Sequence, residues 1–197
     1  MPEPEPYVYQ SDQDRAFGEK FFQENGLKKN NTLILHPGAS TFSKAWMPER
    51  YAEIGKLFSD TFKGRVLVTW GPGEENLAGT VVDSIGNNAV KGQKTMVGQL
   101  ASLLSMSGLC VCNYSGVMNV AMAVKTPMVA LGCTSAADWG PYGAIHRTVN
   151  SAGEKDSYTD QERVEAMRRI TVEEVRAVIS QRWNELMKES GKAAAKS

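Results

Sequence analysis

Short apolar runs alternate with amphipathic helical segments along most of this chain, and this alternation constrains the fold more than any other sequence feature. Strand-like runs occupy residues 32–36, 65–70, 109–113, 127–132 and 145–149, and helical patterns cover residues 48–62, 74–85, 96–107 and 116–124. Strands separated by helices at this spacing form right-handed crossovers and a parallel sheet covered on both faces. The sequence therefore predicts a three-layer α/β/α domain with a doubly wound, Rossmann-like parallel sheet.

The two ends of the chain are expected to lie outside this domain. Residues 1–29 are predicted to be a proline- and glutamate-rich linker followed by a capped helix. Residues 30–190 are assigned to the domain, whose last helix begins at a T-x-x-E capping box formed by Thr171 and Glu174. The segment 191–197 is too polar to pack, so we expect a disordered tail.

Charge balance and cysteine usage narrow the classes of function. Lys and Arg total 22, and Asp and Glu also total 22. No overall field therefore attracts the protein to nucleic acid or an anionic membrane, and any anion site must be local. Cys110 and Cys112 alternate within an apolar run, which is typical of buried thiols in a reducing compartment. No run approaches the roughly 20 apolar residues of a membrane span, and no signal peptide is visible, so we expect a cytoplasmic protein.

Small and polar loops follow four of the predicted strands. They begin at Pro37, Gly71, Asn113 and Cys133. Ligands of open parallel sheets bind at the carboxyl ends of the strands, so four such loops at one edge favour a nucleotide-type ligand. The first loop combines free backbone N–H groups with Ser40, Thr41 and Lys44, which suits a phosphate or diphosphate. The alternative is an ordinary strand-to-helix loop with a solvated lysine.

The second loop carries two adjacent carboxylates, Glu74 and Glu75. One of them is suited to accept hydrogen bonds from ribose hydroxyls. The alternative is that both carboxylates only complement the dipole of the following helix. In the third loop, Ser115 and Gly116 form a tight turn into a helix whose N–H groups can face an anion.

Metal-dependent and hydrolytic chemistries find little support in the sequence. Asp12 and Asp14 have D-x-D spacing, but they lie at a helix start rather than after a strand. His36 and His146 are the only histidines, and no Cys/His cluster has zinc spacing, so no metal site is expected. The G-x-S-x-G elbow of serine hydrolases is missing. His36 closes a buried strand and is expected to be hydrogen-bonded in place rather than to reach the phosphate loop.

Three longer stretches are informative in combination. They are ILHPGASTFSKAWMPERYAEIGKLF, VLVTWGPGEE and QLASLLSMSGLCVCNYSGVMNVAMAVKTPMVALGCTS. In order and spacing they resemble the C-terminal half of the ADP-heptose:lipopolysaccharide heptosyltransferases, glycosyltransferase family 9, over about residues 30–187. The resemblance implies one half of a GT-B fold, in which two Rossmann-like domains face each other across a cleft. It also implies an inverting glycosyl transfer in cell-envelope glycan synthesis, with no metal and no cofactor.

The resemblance implies a set of donor-binding residues. They are Ser40, Thr41, Lys44, Glu74, Thr95, Met96, Ser115, Gly116 and Asn119. Ser40, Thr41 and Lys44 match positions that hold the donor diphosphate, and Lys44 would stabilise the charge on the leaving diphosphate. Glu74 matches a ribose-binding glutamate, and the Thr95 and Met96 region lies where adenine is held.

The match breaks within the family's N-D-S-G-x-x-H element, to which Ser115 and Gly116 belong. The aspartate position holds Tyr114 and the histidine position holds Asn119, so the expected carboxylate and imidazole are missing. Two alternatives therefore stand beside the donor-binding hypothesis. One is a non-catalytic interaction or sensor domain that retains the fold. The other is a related transferase that uses another nucleotide sugar.

The resemblance also indicates what a working enzyme would need in addition. In this family the acceptor and the catalytic base belong to an N-terminal domain, about half of a usual member, which does not precede this sequence. We therefore expect a chain that binds ADP or an ADP-sugar but is inactive alone. It would be an excised half, a split protein that meets an acceptor domain in trans, or a relic. A bared cleft face would favour self-association.

Overall fold

The computed structural model describes residues 6–153, 155 and 157–194. Its strands are β1 (Thr32–His36), β2 (Arg65–Val68), β3 (Ala89–Lys91), β4 (Leu109–Asn113), β5 (Met128–Gly132) and β6 (Arg147–Asn150). Its α-helices are α1 (Asp12–Glu24), α2 (Pro48–Phe62), α3 (Glu75–Ile85), α4 (Val97–Ser105), α5 (Gly116–Ala123), α6 (Ala136–Trp139), α7 (Asp160–Arg169) and α8 (Val172–Ala194). A 3₁₀ turn, Phe42–Lys44, lies in the loop between β1 and α2.

The six strands form one parallel sheet in the order β3-β2-β1-β4-β5-β6. The chain winds outward from β1 to β3, then crosses back to place β4 on the other side of β1. The loops that leave β1 and β4 therefore diverge toward opposite faces of the sheet and open a crevice at its carboxyl edge. The predicted three-layer, Rossmann-like α/β architecture is confirmed.

Successive strand residues enter two buried layers on opposite faces of the sheet. In β1, Leu33 and Leu35 pack toward α2, α3 and α8, whereas Ile34 packs toward α1, α4 and α5. The central strands are buried on both faces, which explains why they read as continuous apolar runs. Cys110 and Cys112 are fully buried free thiols in the second layer, as predicted.

The helices begin where local chemistry favours a helix start. Pro48 occupies the first position of α2, where its missing N–H is no loss, and the helix buries Ile54 and Phe58 against the sheet. At α1, Ser11 and Asp14 form a capping box, with the Asp14 carboxylate accepting from the Ser11 backbone N–H at 2.9 Å. Asp14 is therefore engaged as a helix cap.

Helix α8 closes the structure through Trp183. The Trp183 ring meets the Phe58 ring of α2 edge-on, with centroids 4.7 Å apart. The same indole lies against Gly108, where an added Cβ would come within 2.7 Å of a ring carbon. The glycine just before β4 therefore allows the last helix to approach the sheet closely.

Some elements differ from the sequence prediction. Strand β3 and helix α7 were not predicted, and α8 continues to Ala194 although residues 191–197 were expected to form a disordered tail. Alanine and lysine are strong helix formers, which explains this extension of the helix. Residues 1–5 of the predicted linker and residues 195–197 lie outside the described part of the chain. None of the described helices is both long and apolar enough to cross a membrane.

Candidate functional site

A cleft of about 340 Å³ opens at the carboxyl edge of the sheet, next to the ends of β1, β4 and β5. The loop after β1 supplies one wall, with Ser40 and Lys44. The start of α5 supplies a second wall, with Ser115 and Asn119. The loop after β5 and helix α7, with Arg163, complete the cleft. The cleft thus coincides with the reversal of strand order between β1 and β4.

The side chain of Asn113, the last residue of β4, holds the loop after β1 in place. Its amide nitrogen donates to the carbonyls of Pro37 and Gly38, at 3.0 Å each. Its amide oxygen accepts from the Trp46 backbone N–H and from the Tyr51 hydroxyl, at 3.1 Å each. Asn113 is fully buried, and all the hydrogen-bonding positions of its amide are occupied. One amide therefore fixes both ends of the loop that carries Ser40 and Lys44.

Helix α7 is joined to the same loop by side-chain hydrogen bonds. The Ser43 hydroxyl donates to Oδ1 of Asp160 at 2.8 Å, and the Trp46 indole N–H donates to the Ile170 carbonyl at 3.0 Å. Hydrogen bonds from Ser43 and Arg163 lower the pKa of the Asp160 carboxyl group. These hydrogen bonds therefore fix the position of α7 relative to the loop after β1, so the two walls of the cleft are joined.

The charged residues give the cleft a local positive character. Among its described lining residues, Lys44, Lys155 and Arg163 are cationic and Asp138 is anionic. Burial raises the pKa of the nearby Cys133 thiol, and the charges of Lys44 and Arg163 both oppose that rise. The two cations therefore act on the same region of the cleft. The chain has no net charge, but the cations of this cleft give it a local positive field that attracts anions.

The start of α5 faces the cleft with groups that favour anions. The Ser115 hydroxyl oxygen is buried and has no hydrogen-bond partner within the described residues. An added Cβ on Gly116, the first residue of the helix, would meet no atom within 4 Å. The helix start is therefore open, and its free N–H groups and positive dipole end are accessible to a ligand. Asn119, one turn further along, is exposed on the same wall.

Tyr114 lies in the floor of the cleft. Its side chain is buried, with a relative exposure of 7% for the residue. An added Cβ on Gly132 would stand 2.5 Å from Cζ of the ring, and one on Gly140 would stand 3.1 Å from the hydroxyl oxygen. Two glycines thus make room for a large aromatic ring at the position where the sequence resemblance places an aspartate.

Glu74 lies in the loop after β2, directly before α3, and stands beside the first loop rather than in the cleft wall. Its Oε2 accepts from the Gly71 backbone N–H at 2.8 Å and is 3.6 Å from Nε2 of His36. The other ring nitrogen of His36 is 3.0 Å from the Thr69 hydroxyl, and burial lowers the pKa of His36 to about 4. A side chain at Gly38 would collide with the Glu74 carboxylate. His36 is therefore neutral near pH 7 and hydrogen-bonded in place, as expected.

The structure brings only part of the predicted residue set into the cleft. The residues that line it are Ser40, Lys44, Ser115 and Asn119, and Gly116 directly follows one of them. Thr41 is exposed and turns to a neighbouring surface beside α7, where its hydroxyl is 3.2 Å from that of Ser43. Thr95 and Met96 precede α4 at the same sheet edge, and Met96 is 73% exposed.

Sequence reasoning missed the contribution of α7. Its start carries a T-x-x-E capping box, in which the Thr159 hydroxyl and the Glu162 carboxylate satisfy each other's backbone N–H groups. That spacing was the available signal for the helix. Arg163 follows directly, so recognising the box would have added a cation to the candidate site. Within the described residues, no three His, Cys, Asp or Glu side chains come together as possible metal ligands.

Residues 1–171 match the family model described as glycosyltransferase family 9 (heptosyltransferase). The chain belongs to glycosyltransferase family 9. No curated protein shows significant sequence similarity to this family 9 chain.

Solved structures of other glycosyltransferases share the fold of this family 9 chain. A family 9 glycosyltransferase from Veillonella parvula DSM 2008 superposes with a TM-score of 0.76 at 23% identity, covering 91% of this chain and 54% of that one. E. coli ADP-heptose LPS heptosyltransferase II superposes with a TM-score of 0.73 at 20% identity, covering 96% of this chain and 56% of that one. E. coli heptosyltransferase WaaC with ADP superposes with a TM-score of 0.65 at 18% identity, covering 88% of this chain and 50% of that one. This family 9 chain thus spans about half the length of these relatives, and its Rossmann-like architecture matches that of GT-B glycosyltransferases.

Proposed function

We propose that this family 9 chain is the donor-binding part of a heptosyltransferase-like enzyme and that it binds an ADP-sugar at the carboxyl edge of its sheet. The observation that carries the proposal is the convergence of Ser40, Lys44 and the open start of α5 in one cleft, where the strand order reverses between β1 and β4. These groups combine a cation, a hydroxyl and free N–H groups, which is the chemistry that a diphosphate requires. Residues 30–190 form the nucleotide-sugar-binding unit in this proposal.

The order of the strands supports a direction for the bound nucleotide. Lys44, Glu74 and Thr95 follow β1, β2 and β3, which are consecutive neighbours in the sheet. A diphosphate in the cleft would extend its ribose toward Glu74 and its adenine toward the Thr95 and Met96 loop. The sugar would then lie on the other side of the diphosphate, over Tyr114 and Asn119.

Lys44 would assist the chemical step as well as binding. In an inverting transfer, the acceptor oxygen attacks the sugar carbon while the bond from that carbon to the diphosphate oxygen breaks. The bonding electrons leave with the diphosphate, where Lys44 and the N–H groups of α5 stabilise the growing negative charge without a metal. We assign removal of the acceptor proton to an acceptor domain, which would meet this chain across the cleft. The buried free thiols suit a reducing compartment, so we place the reaction in the cytoplasm.

Calorimetric titration of the purified chain with ADP, and then with ADP-heptose, tests the proposal. Lys44→Ala is expected to weaken ADP binding about 10- to 100-fold, because a charge-assisted hydrogen bond contributes about 1.5–3 kcal/mol. Lys56→Ala, which removes an exposed lysine of α2 outside the cleft, is the matched control and should bind normally. Absence of nucleotide binding, or equal affinity of the Lys44→Ala variant and the wild type, would refute the proposal.

Tyr114 favours a second candidate, a family 9 transferase whose donor carries a different sugar or nucleotide. A buried aromatic ring replaces the expected carboxylate in the floor of the cleft, which changes both its shape and its charge. Competition among ADP-, UDP- and GDP-sugars distinguishes this candidate from the first. The double variant Tyr114→Asp, Asn119→His should improve ADP-heptose binding if the remainder of the sugar pocket is that of a heptosyltransferase. A chain that binds none of these nucleotides would instead be a non-catalytic interaction or sensor domain.

A further inference from the structure

We propose that Arg163 of α7 is a second phosphate-binding cation and that, together with Lys44, it makes the cleft prefer a diphosphate to a monophosphate. This inference rests on the proposed nucleotide-binding function and adds a residue that determines ligand class. Arg163 lines the same cleft as Lys44 although 119 positions separate them in the sequence.

The position of Arg163 relative to Lys44 is fixed by the structure. Helix α7 packs on the 3₁₀ turn Phe42–Lys44, and the hydrogen bond from Ser43 to Asp160 joins the two elements. Nη1 of Arg163 donates to the same Asp160 oxygen at 3.0 Å. Asp160 thus links the guanidinium to the 3₁₀ turn that carries the lysine, so both cations project from elements that are joined to each other.

The guanidinium retains donors for a ligand. Arginine has five N–H donors, and the bond to Asp160 uses one of them. Nε of Arg163 is buried and has no hydrogen-bond partner among the residues that the structure describes. A buried donor without an acceptor is costly, so a small reorientation of the side chain that brings Nε to a ligand oxygen would be favourable.

The other cation of the cleft is less suited to this role. Lys155 is exposed, and its ammonium group is already hydrogen-bonded to Glu162. Asp160 also offsets part of the Arg163 charge, but its side chain is 77% exposed and solvent screens it, whereas that of Arg163 is 27% exposed. Arg163 is therefore the cation best placed to share a ligand with Lys44.

The geometry of the two side chains accounts for the selectivity. A lysine ammonium group acts as a point charge, whereas a guanidinium offers a planar fork that matches two phosphate oxygens. A diphosphate brings a larger negative charge and a separate phosphate group for each cation, whereas a monophosphate has to divide its oxygens between the two. AMP is therefore expected to bind less tightly than ADP, and inorganic pyrophosphate should bind although it lacks a nucleoside.

The test compares ADP, AMP and inorganic pyrophosphate as calorimetric ligands of the wild-type chain and of Arg163→Gln, Arg163→Lys and Arg168→Ala. Arg163→Gln should weaken ADP and pyrophosphate binding about 10- to 100-fold and AMP binding much less. Arg163→Lys keeps the positive charge but loses the planar guanidinium group. Its affinities for ADP and pyrophosphate should therefore lie between those of the wild type and of Arg163→Gln. Arg168→Ala removes an exposed arginine of the same helix outside the cleft and should bind as the wild type does. Circular dichroism and thermal unfolding establish that each variant is folded.

The possible results separate this inference from the function on which it rests. ADP binding that Arg163→Gln leaves unchanged overturns the role of Arg163 and leaves the nucleotide-binding proposal standing. Pyrophosphate binding that requires Arg163, with no preference for ADP over pyrophosphate, supports the role of the two cations and contradicts the nucleotide site. Equal loss of AMP and ADP affinity overturns the diphosphate selectivity. A wild-type chain that binds none of the three ligands overturns both proposals.

Discussion

The replacement Asn113→Ala is the sharpest test of how the cleft is built. The change would leave two carbonyls, at Pro37 and Gly38, and two donors, at Trp46 and Tyr51, without their partner in a fully buried place. Each lost hydrogen bond costs about 1 kcal/mol net, so the four together predict a loss of about 4 kcal/mol in the free energy of unfolding. That is a large share of the total stability of a domain, which is about 5–15 kcal/mol.

Urea unfolding followed by tryptophan fluorescence measures this loss, with Asn150→Ala as the matched control. Asn150 ends β6 and makes two side-chain hydrogen bonds, with the Thr134 carbonyl and the Ala152 backbone N–H, in a half-buried setting. The control should therefore lose about 1–2 kcal/mol. If Asn113→Ala loses no more than Asn150→Ala, the amide does not hold the loop as we describe.

Asn113→Asp separates the donor role of the amide from its acceptor role. The aspartate retains an oxygen for Trp46 and Tyr51, but it sets a second oxygen against the Pro37 and Gly38 carbonyls. Stability should therefore fall at least as far as in Asn113→Ala, because two acceptors would then oppose each other in a buried place. A variant close to wild type in stability would contradict this account of the donor bonds.

Two further predictions concern packing and pH. Gly132→Ala should lower the free energy of unfolding by about 1–3 kcal/mol, because its Cβ would stand 2.5 Å from the Tyr114 ring. Thermal unfolding should show a smaller loss when the same change is made in a Tyr114→Asp background. A loss of the same size in that background would argue against the collision. The pKa of His36 is about 4 in the folded protein and 6.5 in the unfolded chain. Between pH 4 and pH 6.5 the unfolded state therefore binds more protons than the folded state. The free energy of unfolding should fall as the pH drops from 6.5 toward 4. His36→Gln should remove about 3 kcal/mol of that fall in urea titrations at successive pH values, and a pH-independent difference between variant and wild type would refute the assignment.

The central strands could be predicted from the sequence to the residue. Thr32–His36 and Leu109–Asn113 are five-residue runs buried on both faces, and the bounds of both agree with the prediction. Strand β3 has only three residues at a half-exposed sheet edge, so it carries too few apolar side chains to give a period. Helix α7 is largely polar, and only its capping box could have identified it.

The sequence also predicts some residues of the candidate site and misses the contacts that hold them in place. Ser40, Lys44 and Ser115 could be predicted because a parallel sheet brings the loops after its strands to one edge. The contacts of Asn113 with Trp46 and of Asp160 with Ser43 join residues 67 and 117 positions apart. No local pattern encodes such pairings, because they depend on how the layers pack after the strands have formed.

The Asn113 amide recognises only main-chain groups within the loop itself, namely the Pro37 and Gly38 carbonyls and the Trp46 N–H. Side-chain identity between these anchor points is therefore under little constraint from the amide. Between these anchor points, residues 39–45 are held by the Ser43 bond to α7 and by the packing of α7 on the 3₁₀ turn. An arrangement of this kind allows the side chains of the loop to change, in evolution or by design, while the sheet beneath it keeps its sequence.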